Sequence, residues 1–87
     1  MYLHLNHNTV VFAGDIVAIL NLTGHKGRPV RQDFGLPVVA VDDIPEDEWR
    51  SLVITGQHVF ALAVTGETMV RRYQKCLRQA GYVFKNI

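Results

Sequence analysis

The sequence predicts a single α+β domain over residues 1–87: a mostly antiparallel sheet, a short central helix and a C-terminal helix. Three observations lead there. Short β-branched and apolar runs recur along the first two thirds of the chain, most of them joined by only a few residues. One segment, after Thr65, repeats its apolar residues at helical spacing. The chain has 87 residues, 48% of them hydrophobic, which is enough for one core and too short for two.

Tyr2-Leu3-His4-Leu5 alternates, which sets Leu3 and Leu5 on one face of a first strand. Asn6-His7-Asn8 is turn-like, and Thr9 to Phe12 forms a second strand. Ala13-Gly14-Asp15 breaks the run as a bulge or tight turn. Ile16 to Leu22 is a third strand, apolar enough to be buried on both faces over much of its length. Residues 23–29 form a loop. Pro29 opens a short helix over Val30 to Phe34, and Gly35 ends it. Leu36 to Val41 is a strand, with Pro37 marking an edge position or strand start.

Asp42 to Glu48 is an acidic connector, with one helical turn after Pro45. Ser51–Thr55 and His58–Val64 form a hairpin whose Gly56-Gln57 loop suits a type II′ turn. The C-terminal helix is capped by Thr65 or Thr68, runs to about Ala80 and stops at Gly81. Met69, Tyr73, Cys76, Leu77 and Ala80 make its apolar stripe, with Cys76 expected to be a buried small hydrophobe. Tyr82-Val83-Phe84 follows as a short packing tail.

Charge narrows the function. Nine Lys and Arg oppose eight Asp and Glu, so the net charge is +1. A chain basic throughout, coating nucleic acid on every side, is excluded. The charges are nevertheless segregated. Residues 24–31 carry net +3 through Lys26, Arg28 and Arg31. Residues 42–50 carry net −4, with Arg50 the one cation. Residues 67–87 carry net +4 through Arg71, Arg72, Lys75, Arg78 and Lys85 against Glu67. Arg71, Lys75 and Arg78, at i, i+4 and i+7, form a basic stripe beside the apolar one. Such a stripe either tracks a phosphate backbone or is an ordinary solvated helix face. The acidic connector and the basic helix also suit each other, within the chain or between copies.

Catalytic and metal chemistry find little support. His4, His7, His25 and His58 lack the clustered ligands of a metal site. Asp42-Asp43 sits in a charged connector where no pocket is implied. No nucleophile has a recognisable base, and Gly24 and Gly27 lack the Gly-Lys-Ser/Thr context of a phosphate loop. The expectation is a non-enzyme with no cofactor and no metal. One cysteine and the absence of a signal-like leader or a long apolar run fit a cytoplasmic protein without a membrane span.

Met1-Tyr2-Leu3-His4-Leu5, Asn8-Thr9-Val10-Val11 and Asp15-Ile16-Val17-Ala18-Ile19 resemble the extracellular-matrix regulatory protein B family. So do Arg50-Ser51-Leu52-Val53-Ile54-Thr55, Val59-Phe60, and Thr68 ahead of Arg71-Arg72. The likeness covers both ends of the chain and is poor over residues 23–49. It implies a small cytoplasmic bacterial protein linked to transcription. The related matrix regulator A proteins are DNA-binding activators of biofilm matrix genes. Their fold is similar to the LytTR domain, and they assemble into rings that present arginines to DNA. The resemblance therefore implies a homo-oligomer, double-stranded DNA as a partner, or a paralogous regulator as a partner.

The chain departs from the A-type pattern at the DNA site. Asp15 stands where the A-type arginine before the third strand aligns, and Asp47 and Glu48 fall near the A-type arginine pair before the hairpin. An acid there repels phosphate. The candidate DNA-binding residues are accordingly Lys26, Arg28, Arg31, Arg50, Arg71, Arg72, Lys75 and Arg78. The first expectation is a DNA-associated transcriptional regulator of matrix genes acting as a homo-oligomer. The second is an oligomeric interaction module without DNA contact, working through a paralogue.

Overall fold

The frame of the molecule is a four-stranded sheet in which the two most buried strands take the centre. The computed structural model describes residues 1–22, 35–79 and 81. Strands β1 (Tyr2–His4) and β2 (Val10–Phe12) form an antiparallel pair, and β3 (Ile16–Asn21), β4 (Val38–Ala40), β5 (Ser51–Thr55) and β6 (Val59–Leu62) form a sheet in the order β3-β5-β6-β4. The helix α1 (Gly66–Gln79) follows. The class is α+β, and the pairing is antiparallel except that β4 runs parallel to β6. The expected central helix over Val30 to Phe34 lies outside the described residues, as do Ala80 and the Tyr82-Val83-Phe84 tail.

The β5–β6 hairpin is where the sequence pattern and the fold agree best. Ile54 pairs with Val59, which leaves Gly56-Gln57 as a two-residue loop. The turn is not type II′, because that turn needs positive φ at its first central residue and Gly56 does not have it. Thr55 closes the turn instead. Its hydroxyl oxygen accepts from the backbone N–H of Gln57 (3.3 Å) and of His58 (3.0 Å). Its own N–H donates to the His58 carbonyl at 2.9 Å. A hydroxyl that bonds the backbone two and three residues on supplies the turn without special φ values.

Both faces of the sheet are apolar. Strand alternation sends Val53, Phe60, Leu62 and Ile19 to one side, where they pack with Leu3, Leu5, Val11 and Met69. Leu52, Ile54, Val59, Ala61 and Leu20 point to the other side and pack with Leu22, Leu36 and Trp49. Burying a leucine or valine side chain contributes about 1.5–3 kcal/mol, so the two central strands hold the fold together.

Strand β3 corrects an expectation. Its apolar run suggested burial on both faces, yet none of its residues is fully buried and Val17 is 72% exposed. Among the described strands β3 lies at a sheet edge, and the register slips between Ile16 and Ala18, which makes Val17 the extra residue of a bulge. A bulge turns its residue out of the ladder and blunts an edge against stray pairing. Ala13-Gly14-Asp15, where a bulge or turn was expected, is a 3-10 turn (Ala13–Asp15). Strand β4 lies at the opposite edge among the described strands, as Pro37 suggested, and the Pro37 carbonyl accepts from Val59 N–H at 2.9 Å.

The connector folds into two more 3-10 turns, Val41–Asp43 and Glu46–Glu48. Asp42 and Asp43 both adopt positive φ, 63° and 53°. The side chain of Asn6 donates to Asp42 Oδ1 at 2.6 Å, which ties the connector to the β1–β2 turn. Within that turn Asn6 Oδ1 accepts from the N–H of Asn8 and Thr9 (2.8 and 2.6 Å).

Candidate nucleic-acid interface

The helix α1 starts where Thr65 caps it. Thr65 Oγ1 accepts from the N–H of Thr68 at 3.3 Å, and the Thr65 carbonyl accepts from Met69 N–H at 3.2 Å. A threonine cap satisfies one of the N–H groups that the first helical turn leaves without a partner. Gly66 presses on β3: a Cβ there would stand 2.7 Å from Asn21 Cβ and 2.9 Å from Asn21 Cα. Gly81, at φ 93°, ends the helix with its N–H on the Arg78 carbonyl at 3.0 Å.

Those contacts fix the rotation of α1. Met69 is fully buried, and Tyr73 and Cys76 pack against the same core cluster. Cys76 is half-buried rather than enclosed, and its thiol donates to the Tyr2 carbonyl at 3.3 Å. At about 100° per residue, the buried row of Met69, Tyr73 and Cys76 points to one side of the helix. Arg71, Lys75 and Arg78 then cluster on the side directly opposite, and all three are exposed. The basic stripe thus lies across the helix from the apolar row and not beside it, as was expected. Arg72 is exposed on the flank, with its guanidinium 3.9 Å from Met69 Sδ.

The other candidate cations are not gathered with these. Arg50 is exposed at the start of β5; its N–H donates to the Leu62 carbonyl (2.7 Å) and its carbonyl accepts from Leu22 N–H (2.8 Å). Lys26, Arg28 and Arg31 lie outside the described residues. The site that the described residues build is therefore the outward side of α1.

The acids are as open as the cations. Asp15, Asp42, Asp43, Glu46, Asp47 and Glu48 are all exposed. Among the described residues, none of them forms an ion pair with Arg50, Arg71, Arg72, Lys75 or Arg78. The acidic connector and the basic helix do not neutralise each other within one chain. Among the described residues no group of three or more His, Cys, Asp or Glu comes together as a metal site would require. His58 is half-buried beside Phe60, with ring centroids 5.7 Å apart, and His4 and His7 are exposed. His25 lies outside the described residues. Among the described residues no helix is long and apolar enough to cross a membrane.

One surface went unremarked in the sequence. Tyr2, Val10 and Phe12 leave an exposed apolar patch on the outer face of β1–β2, with the Tyr2 and Phe12 rings edge to face at 5.6 Å. The alternation that buries Leu3 and Val11 already turned these side chains outward. No protein family, curated protein or solved structure matches the chain.

Proposed function

We propose that this protein is a DNA-associated transcriptional regulator, with α1 as its phosphate-contacting element. One observation carries the reading: Arg71, Lys75 and Arg78 project together from the side of α1 opposite its buried row, exposed and without a carboxylate partner among the described residues. A row of cations on a rigid helix releases counterions from the duplex at each phosphate it meets. Arg72 and Arg50 extend the charge to the flank and to the sheet.

A few phosphate contacts give one chain weak, salt-sensitive affinity. Useful occupancy then needs several copies on one duplex, where each bound copy raises the effective concentration of the next. This is the homo-oligomeric regulator that the family resemblance suggests, and matrix genes as its targets rest on that resemblance alone. The role is regulatory rather than catalytic, and the compartment is the cytoplasm.

Asp15, Asp47 and Glu48 are exposed; by the family resemblance Asp15 aligns with an A-type arginine and Asp47 and Glu48 fall near an A-type arginine pair, which favours a second reading. In it the domain is an oligomeric interaction module that acts through a paralogous regulator and touches no DNA. Fluorescence anisotropy with a labelled A/T-rich duplex separates the two. The regulator binds saturably at about 50 mM salt and loses most of its affinity by about 200 mM. Absence of binding at the lower salt selects the interaction module.

A further inference from the structure

The same chain exposes two oppositely charged surfaces that find no partner in each other. One is the outward side of α1, with Arg71, Lys75 and Arg78. The other is the turn Glu46–Glu48, an uninterrupted Glu-Asp-Glu whose three side chains are all exposed. Among the described residues, these cations and acids form no ion pair within the chain. We infer that the outward side of α1 docks the Glu46–Glu48 turn of a second copy of this chain.

Charge complementarity picks the occupant. A row of cations on a helix accepts a compact polyanion, and the chain itself carries one on a hydrogen-bonded turn. The turn is pinned at both ends of its single helical loop: Glu48 N–H donates to the Pro45 carbonyl (2.9 Å) and Trp49 N–H to the Glu46 carbonyl (3.2 Å). The Trp49 indole N–H donates to the Ile44 carbonyl at 3.2 Å, which holds the turn against the second apolar cluster. The acids are therefore presented and not left on a free tail, so docking them costs little ordering. Because the two patches differ, each copy uses one as donor and the other as acceptor of the contact. Both patches are solvent-exposed, so the contact is weak, concentration-dependent and screened by salt.

The contact also has a regulatory consequence, and this consequence rests on the DNA reading above, whereas the contact itself does not. Duplex DNA and the acidic turn want the same helix face. DNA carries a charge about every 1.7 Å of helix axis, denser than three carboxylates, so it displaces the turn. The association between free copies is then a resting state that covers the DNA face, and it is not the contact that joins copies on DNA.

Charge reversal tests it on the full chain. The acid-reversed variant carries Glu46→Lys, Asp47→Lys and Glu48→Lys; the base-reversed variant carries Arg71→Glu, Lys75→Glu and Arg78→Glu. Sedimentation velocity follows each alone and an equimolar mixture. The unaltered chain should self-associate at about 50 mM salt and weaken roughly tenfold or more by about 200 mM. Each variant alone should stay monomeric, and the mixture should associate again, because each supplies the patch that the other inverted. Circular dichroism checks the fold of each, and the neutral set Glu46→Gln, Asp47→Asn, Glu48→Gln, which should abolish association, replaces any reversal that misfolds. A monomeric unaltered chain at the lower salt, a variant that associates as well as the unaltered chain, or an inert mixture of folded variants overturns the inference. DNA titration of the same samples separates the two proposals. Association without DNA binding removes the regulator and leaves the contact; DNA binding without association does the reverse.

Discussion

The two sides of α1 do different work. The inward side holds Met69, Tyr73 and Cys76 against the sheet and the β1–β2 pair, and it has little freedom to change. The outward side holds Arg71, Lys75 and Arg78 in water, where no described side chain depends on them. One helix thus separates buried from solvated chemistry by rotation alone: positions one apart in sequence answer to different physics.

Perturbations should therefore sort by side, and the first three act on the inward side or its anchors. Met69→Ala should cost most, about 2–5 kcal/mol, since it empties a fully enclosed site between helix and sheet. Urea denaturation reads this as a lower midpoint with little change in slope. Gly66→Ala drives a methyl group into Asn21 and should cost about 1–3 kcal/mol, seen as a lower melting temperature. Thr65→Ala removes the cap on Thr68 and should cost about 1 kcal/mol in the same assay. On the outward side, Arg71→Ala, Lys75→Ala and Arg78→Ala should each change stability by no more than about 0.5 kcal/mol. A large drop in stability from the outward alanines, or none from Met69→Ala, would break the comparison.

The two sides were also unequally legible in the sequence. The 3.6-residue period found the helix and placed Met69, Tyr73 and Cys76 in one row and Arg71, Lys75 and Arg78 in another; Gly81 marked the stop, and of the two caps offered, Thr65 and Thr68, Thr65 is the one used. The angle between the rows is also contained in the spacing, since about 100° per residue sets Arg71, Lys75 and Arg78 opposite Met69, Tyr73 and Cys76; what the spacing leaves open is which residues the sheet encloses. Met69 and Tyr73 are packed inward, and this turns the cations fully away. In the sheet, alternation and β-branched runs revealed six strands and the Gly56-Gln57 loop. They did not reveal that β3 lies at an edge, since an apolar run reads alike at the centre and at the rim. The bulge at Val17 has no local sequence signal, and neither does the parallel pairing of β4 with β6, which depends on residues far apart in the chain. The turn geometry was missed because Gly56 suggested positive φ, whereas the Thr55 hydroxyl makes that unnecessary.

The most direct test of the account compares the salt dependence of DNA binding in two proteins, the unaltered chain and the triple variant Arg71→Ala, Lys75→Ala, Arg78→Ala. Anisotropy titrations between about 50 and about 200 mM salt give log affinity against log salt, with a slope of about −0.9 for each phosphate neutralised. If α1 contacts phosphate, the variant binds more weakly, with a slope shallower by about 0.9 for each phosphate it leaves unneutralised and with the fold intact by circular dichroism. Equal affinity and equal slope in the two proteins would contradict it, because the outward side of α1 would then make no contact with DNA.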